Sequence, residues 1–231
     1  MPEAVAHAIT NTGVGGYRYN MKAGTYAQGG TSRTFSGAGL TTAPFWWRGY
    51  KTTPGDQDTA PLTPRVSGTD IPSITFTGTA LMTISGAHQI FSNIDVTGAN
   101  TASQQVNVTV TNVRMDWCRV ENTGSNALSH ALNLTSVSGF VATSCRFKAT
   151  TTATRAVRCA VNAQFLNCVI DGGISGIDQS GNSAIVIGTT FQNQASYGFL
   201  GGTANSLTIS NCTFYNIGTD GIRFSTVPTT R

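Results

Sequence analysis

Between Gln89 and Phe214 the chain places apolar residues in short alternating bursts, and the bursts recur about every two dozen residues. Each burst opens on positions two apart: Gln89 and Phe91, Val113 and Met115, Phe140 and Ala142, Ala163 and Phe165, Ala184 and Val186, Leu207 and Ile209. A second pair follows three residues later: Ile94 and Val96, Cys118 and Val120, Cys145 and Phe147, Cys168 and Ile170, Thr189 and Phe191, Cys212 and Phe214. Period two within a pair predicts a short strand with one face on the core. The three-residue step between pairs breaks that period, so the backbone must bend there. A repeat of this length without helical periodicity predicts a solenoid, in which each coil buries its apolar face against its neighbours.

The bend falls on Asn93, Trp117, Ser144, Asn167, Gly188 and Asn211. Asn and Gly tolerate the left-handed backbone that a tight corner demands, and stacked Asn side chains can hydrogen-bond from coil to coil. A third strand follows each burst after a variable loop, with Leu132, Val157, Ile177, Phe199 and Ile222 facing inward. Asn133, Arg158, Asp178, Leu200 and Arg223 face solvent. Three strands per turn, parallel from coil to coil, predict an all-β, single-stranded, three-sided parallel β-helix of roughly six to eight coils. Its hand should be right, as for nearly all crossovers between parallel strands.

The corner asparagines Asn93, Asn167 and Asn211 resemble the asparagine ladder of the right-handed parallel β-helices of the pectate-lyase-like superfamily. Gly176-Ile177 and Gly221-Ile222 resemble that superfamily's recurrent first-sheet strand. The resemblance extends over about residues 70–225 and takes in the β-helical virion proteins of bacteriophages. It implies that an active site, where there is one, lies on the outer face of the first sheet and its following loops. It does not select an activity, because the superfold carries lyases, hydrolases, epimerases, adhesins and viral spikes.

On this pattern residues 71–225 form the β-helix, 1–70 an opening coil with a capping and loop segment, and 226–231 a tail. Tyr17 to Lys22 alternates as a strand, Ala23 to Tyr26 reads as a turn, and Gly29 to Leu40 as a mobile surface loop. Phe45, Trp46, Trp47 and Tyr50 form the densest aromatic cluster, beside Pro54, Pro61 and Pro64. Three readings of that cluster stand open: a plug over the solenoid's end or flank, a contact patch for another subunit, and a surface on which sugar rings stack.

Only 10% of the 231 residues are charged, and the net charge of +4 is scattered, which argues against a nucleic-acid groove. No apolar run is long enough to span a bilayer. The first residues show neither a basic nor an apolar signal region, so export by a signal peptide is not expected. The five cysteines are expected to be free core residues, Cys118, Cys145, Cys168 and Cys212 in one inward column and Cys159 in another. His7, His88 and His130 are scattered, so no metal site or cofactor is expected.

The face that the resemblance marks for catalysis holds one carboxylate in its outward column, Asp178. Asp220 lies two coils away, about 10 Å, just beyond the separation an inverting glycosidase uses. Asp178 between Arg158 and Arg223 reads as an ion-pair ladder. These features favour a non-enzymatic structural protein of a bacteriophage virion: a capsid decoration or cement protein, made in the host cytoplasm and assembling as a homotrimer. Phe45, Trp46, Trp47 and Tyr50 would then contact the trimer or the major capsid protein. The alternatives are a tail fibre or tailspike module, or a polysaccharide lyase or hydrolase using Asp178, Arg158 and Asp220 on a surface polysaccharide. Neither nucleic acid nor a membrane is an expected partner.

Overall fold

The structure, a computed structural model, describes residues 16–54, 56, 66–126, 129–134, 137–150, 155–160, 162–181, 183–202 and 206–225. Among the described residues, twenty-four strands wind into eight coils of three. The first coil is β1 (Arg18–Lys22), β2 (Gly24–Gly29) and β3 (Arg33–Phe35), and the second is β4 (Phe45–Tyr50), β5 (Pro72–Phe76) and β6 (Met82–Ile84). The third is β7 (Gln89–Ser92), β8 (Asp95–Gly98) and β9 (Gln104–Val108), and the fourth is β10 (Arg114–Asp116), β11 (Arg119–Asn122) and β12 (His130–Leu134). The fifth is β13 (Phe140–Thr143), β14 (Arg146–Ala149) and β15 (Arg155–Cys159), and the sixth is β16 (Ala163–Leu166), β17 (Val169–Asp171) and β18 (Ser175–Gln179). The seventh is β19 (Ser183–Ile187), β20 (Thr190–Gln192) and β21 (Tyr197–Gly201), and the eighth is β22 (Ser206–Ser210), β23 (Thr213–Tyr215) and β24 (Asp220–Phe224). The first strands of the coils stack as sheet A, the second as sheet B and the third as sheet C, each eight-stranded and parallel throughout. The chain is a right-handed parallel β-helix.

The predicted register holds residue for residue. Phe91, Met115, Ala142 and Phe165 align along sheet A, Val96, Val120, Phe147 and Ile170 along sheet B, and Val106, Leu132, Val157, Ile177 and Phe199 along sheet C. These columns are buried and form one continuous core along the axis. The bend residues Asn93, Trp117, Ser144, Asn167, Gly188 and Asn211 all take φ between 52° and 62°. That left-handed turn lets the ladder run through the corner: the Trp117 amide donates to the Thr143 carbonyl (3.0 Å), and Asn167 to Ile187 (2.8 Å). A side-chain ladder occupies the corner from sheet B to sheet C. There Asn216 Nδ2 donates to Asn193 Oδ1, and Asn193 Nδ2 to Asp171 Oδ1, each at 2.9 Å.

The front segment departs from the sequence expectation. Strands β1 to β4 stack in the same three sheets as all later strands, so Arg18 to Tyr50 supplies a full coil and the opening of the next. Thr25 and Tyr26 lie within β2, after Gly24 has turned the corner at φ 151°. The stretch from Gly29 to Leu40 is pinned by β3, whose Phe35 ring is buried against Trp47 and Phe91. A single apolar residue suffices to anchor a three-residue strand, and the Gly, Ser and Thr around it masked the signal.

The aromatic cluster is divided by the pleat of β4. Phe45 and Trp47 are fully buried (0% exposed), and Trp46 and Tyr50 stay at the surface. Trp47 Nε1 donates to Gln89 Oε1 at 3.0 Å, and Gln89 Nε2 to the Phe35 carbonyl at 2.9 Å. Phe45 and Trp47 are therefore core residues within the stack, and of the four aromatics Trp46 and Tyr50 are the ones left at the surface. Pro61, Pro64, His7, the first fifteen residues and the tail at 226–231 lie outside the described residues.

Candidate functional site

Sheet C corresponds to the sheet that the resemblance marks for activity. Along it, Asn107, Asn133, Arg158, Asp178, Leu200 and Arg223 share one outward column. Gln104, His130, Arg155, Ser175, Tyr197 and Asp220 share the column beside it. Adjacent residues in a column are about 4.8 Å apart, the spacing of neighbouring strands.

The expected ladder of Asp178 between Arg158 and Arg223 is not what forms. Asp178 is ion-paired with Arg155, one column over in the preceding coil, and Leu200 separates it from Arg223. Arg223 instead meets Asp220 at 3.5 Å and lies over the Tyr197 ring at 5.2 Å. Asn133 Nδ2 donates to Asn107 Oδ1 at 2.9 Å. Arg158 is exposed and, among the described residues, has no carboxylate partner. The column thus leaves one guanidinium available in the middle of the face.

His130 stands beside this group, and the sequence reading set it aside as isolated. Burial pulls its imidazole down to about 4, with Arg155 and Arg158 pushing the same way against a backbone hydrogen bond at Ser129. It is neutral at physiological pH, and its buried Nδ1 has no hydrogen-bond partner. The signal for His130 and Arg155 lay in the register, which places them in line with Gln104 and Ser175. Neither residue carries a motif of its own.

The two carboxylates of the face do not form a hydrolytic pair. Asp178 and Asp220 sit two coils apart, about 10 Å along the axis, and in different columns that widen the separation further, each already paired with an arginine. Among the described residues no group of three or more His, Cys, Asp or Glu side chains converges to hold a metal ion.

Sheet B carries a second charged face that sequence reasoning missed. Arg119 pairs with Asp95 (3.5 Å), Lys148 with Glu121 (2.6 Å) and Arg146 with Asp171 (2.5 Å), always between adjacent coils. Burial works to raise the Asp171 carboxyl, but hydrogen bonds from Asn193 and Arg146 outweigh it and hold the group low. Burial dominates at Asp95 and pushes it up despite Arg119. An open cleft of about 680 Å³ borders this face, lined by Lys148, Thr150, Asp171, Asn193, Gln194 and Asn216. Most of its polar groups satisfy one another, so it reads as the outer wall of the corner ladder.

No protein-family model matches the sequence, and no curated protein matches it. Solved structures do match in fold. An alginate lyase of the PL6 family, AlyGC, superposes with a TM-score of 0.51 at 15% identity, over 96% of this chain and 35% of that one. The pectate lyase Pel9A superposes with a TM-score of 0.51 at 10% identity, over 95% of this chain and 72% of that one. The chain therefore spans about a third of the length of the alginate lyase. At these identities the likeness is one of fold: both neighbours are β-helices, and so is this chain.

Proposed function

We propose that this β-helix takes an acidic polysaccharide across the outer face of sheet C, and that elimination is the reaction that face is equipped to serve. The observation that carries the reading is Arg158, an exposed guanidinium without a carboxylate partner among the described residues, set between Asn133 and the Arg155–Asp178 pair. A guanidinium fits a carboxylate in a two-pronged arrangement that a neutral sugar does not offer. In a uronate unit the carboxylate sits next to the carbon that must lose its proton. Binding it to Arg158 lowers the cost of the negative charge that develops there. The C–H proton then passes to water or hydroxide at the open face, a C=C bond forms, and the glycosidic C–O bond breaks with its electron pair going to the departing oxygen, which takes up a proton from water. Hydrolysis would need two carboxylates at a defined separation, and Asp178 and Asp220 do not supply them.

The two β-helical lyases among the structural neighbours support a sugar-directed reading more than the virion reading drawn from composition. The test is incubation with alginate and with polygalacturonate, following the ultraviolet absorbance of the unsaturated uronate product. Wild-type protein should bind and release product. Arg158→Ala should weaken binding at least tenfold, and Asp178→Asn should lower it less by loosening Arg155. Absence of both binding and product would remove the reading; binding without product would leave sheet C as a recognition surface and remove elimination.

A further inference from the structure

Trp117 occupies a corner where the third coil and the fifth to eighth place Asn, Ser or Gly. Its φ of 57° is left-handed, a backbone that costs a bulky L-residue about 1–2 kcal/mol and that asparagine tolerates far better. Such an outlier calls for a compensating use. The indole is half-buried, with part of it at the outer surface of the corner.

What it faces supplies the use. A cleft of about 180 Å³ on the outer face of sheet A is lined by Trp46, Ser92, Asn93, Arg114, Asp116, Trp117 and Thr143. Trp46 is locked at one side: its Nε1 donates to Ser92 Oγ at 2.9 Å, and the Arg18 guanidinium lies 4.2 Å from its ring centroid. Arg48 lies over the same ring at 5.6 Å. Arg114 is fixed at the mouth by Asp116, with Nε 2.7 Å from a carboxylate oxygen, which leaves its other nitrogens to a ligand. The cleft therefore joins two indoles, one guanidinium and one carboxylate, with Arg18 and Arg48 stacked on the Trp46 ring outside its lining.

We propose that the Trp46–Trp117 cleft binds a single uronate-bearing sugar ring, as an anchoring site on sheet A separate from the face of sheet C. Indole faces pack against the C–H faces of a pyranose, and the polar tips around them fix its hydroxyls. The Arg114 nitrogens not engaged by Asp116 favour a ring that carries a carboxylate. A volume near 180 Å³ suits one ring and not an extended chain.

The experiment is a fluorescence titration with oligogalacturonate. Of the three tryptophans only Trp47 is fully buried, so a saturable change reports on Trp46 and Trp117. Wild type should show that change. Trp117→Asn should abolish it, or weaken affinity at least tenfold, while keeping or raising the melting temperature, because Asn suits the corner as it does at Asn93, Asn167 and Asn211. Trp46→Ala should lose it too, whereas Arg158→Ala, on the other face, should leave it intact. No saturable change in wild type, or unaltered affinity in Trp117→Asn, would overturn the site. A neutral maltooligosaccharide titrating equally well would overturn the assignment to acidic sugars.

Discussion

The Cys145 thiol donates to the Met115 carbonyl oxygen of the preceding coil at 3.2 Å. The same bond recurs along the column: Cys118 to Phe91 (3.4 Å), Cys168 to Ala142 (3.5 Å), Thr189 to Phe165 (3.3 Å) and Cys212 to Val186 (3.5 Å). The column is thus a row of donors for carbonyls that approach the corner, and Thr189 belongs to it on chemical grounds. In the other direction Cys118 N–H donates to Cys145 Sγ, and Cys168 N–H to Thr189 Oγ1. A buried carbonyl left without a donor costs about 1–3 kcal/mol.

Substitution at Cys168 should separate this account from simple packing. Cys168→Thr keeps a donor and is expected to cost under about 1 kcal/mol, whereas Cys168→Val, similar in shape and more apolar, is expected to cost about 1–3 kcal/mol. Urea unfolding of the two variants measures the difference. Equal stability, or a more stable Val variant, would show that the column needs only volume.

Thiol reactivity follows from the same burial. Burial pushes Cys168 up to about 12 and raises Cys145 as well, with Cys118 beside it adding to the effect. The thiolate is the reactive form, so these thiols are inert in the folded chain. Of the five cysteines, Cys212 alone is partly exposed. A chromogenic disulfide reagent should titrate about one thiol in the native protein and all five after denaturation.

His130 sets an acid limit on stability. Its folded value of about 4 lies below the unfolded value of 6.5, so the neutral form is favoured by folding. That contribution is complete above pH 6.5 and is lost as the pH falls toward 4, about 3 kcal/mol over the window. His130→Gln, which copies Gln104 of the adjacent coil, should flatten the loss across that window in thermal melts at stepped pH. An unchanged slope would place the titration elsewhere.

Asp95 works in the opposite sense. Burial raises its pKa above the unfolded value, so its ionised form at neutral pH weighs against folding. Both carboxylate oxygens are buried, and the Ser67 side chain and Arg119, 3.5 Å away, do not outweigh that burial. Asp95→Asn should raise the melting temperature at pH 7 by a few degrees, and the gain should shrink as the pH falls toward the carboxylate range. A loss of stability at pH 7 would mean that the Arg119 pair outweighs burial.

Gly49 tests the tightness of the first corner. A Cβ there would stand 1.8 Å from the Asn93 carbonyl oxygen and 2.6 Å from Pro72 Cδ. Gly49→Ala should therefore cost several kcal/mol or prevent folding. Circular dichroism melts against wild type would show it.

The fold was legible wherever a column repeats. Phe91 to Ile209, Cys118 to Cys212 and Leu132 to Phe199 mark the same three inward positions coil after coil, and the bend between them could be counted from the sequence. Phe35 and Phe45 were harder, because the first two coils are joined through long polar segments that displace the repeat. The alternation Phe45, Trp47, Gly49 inward and Trp46, Arg48, Tyr50 outward was present, but aromatic density next to prolines drew the reading to the surface. The candidate sites were the least legible. Arg155 meets Asp178, and Trp46 meets the cleft of Trp117, through coil stacking, which joins residues that no local motif connects.

Parallel stacking also dictates how the molecule should loosen. The amides of any coil are held by the coils on either side, so exchange with deuterated solvent in the middle requires the outer turns to fray first. In the eighth coil Ile222 and Phe224 are each 42% exposed, while Leu132, Val157 and Ile177 in the fourth to sixth are at 0%. Protection should therefore rise in steps from β22–β24 inward and peak near β12 and β15, a gradient along the axis instead of one cooperative value for the whole rod.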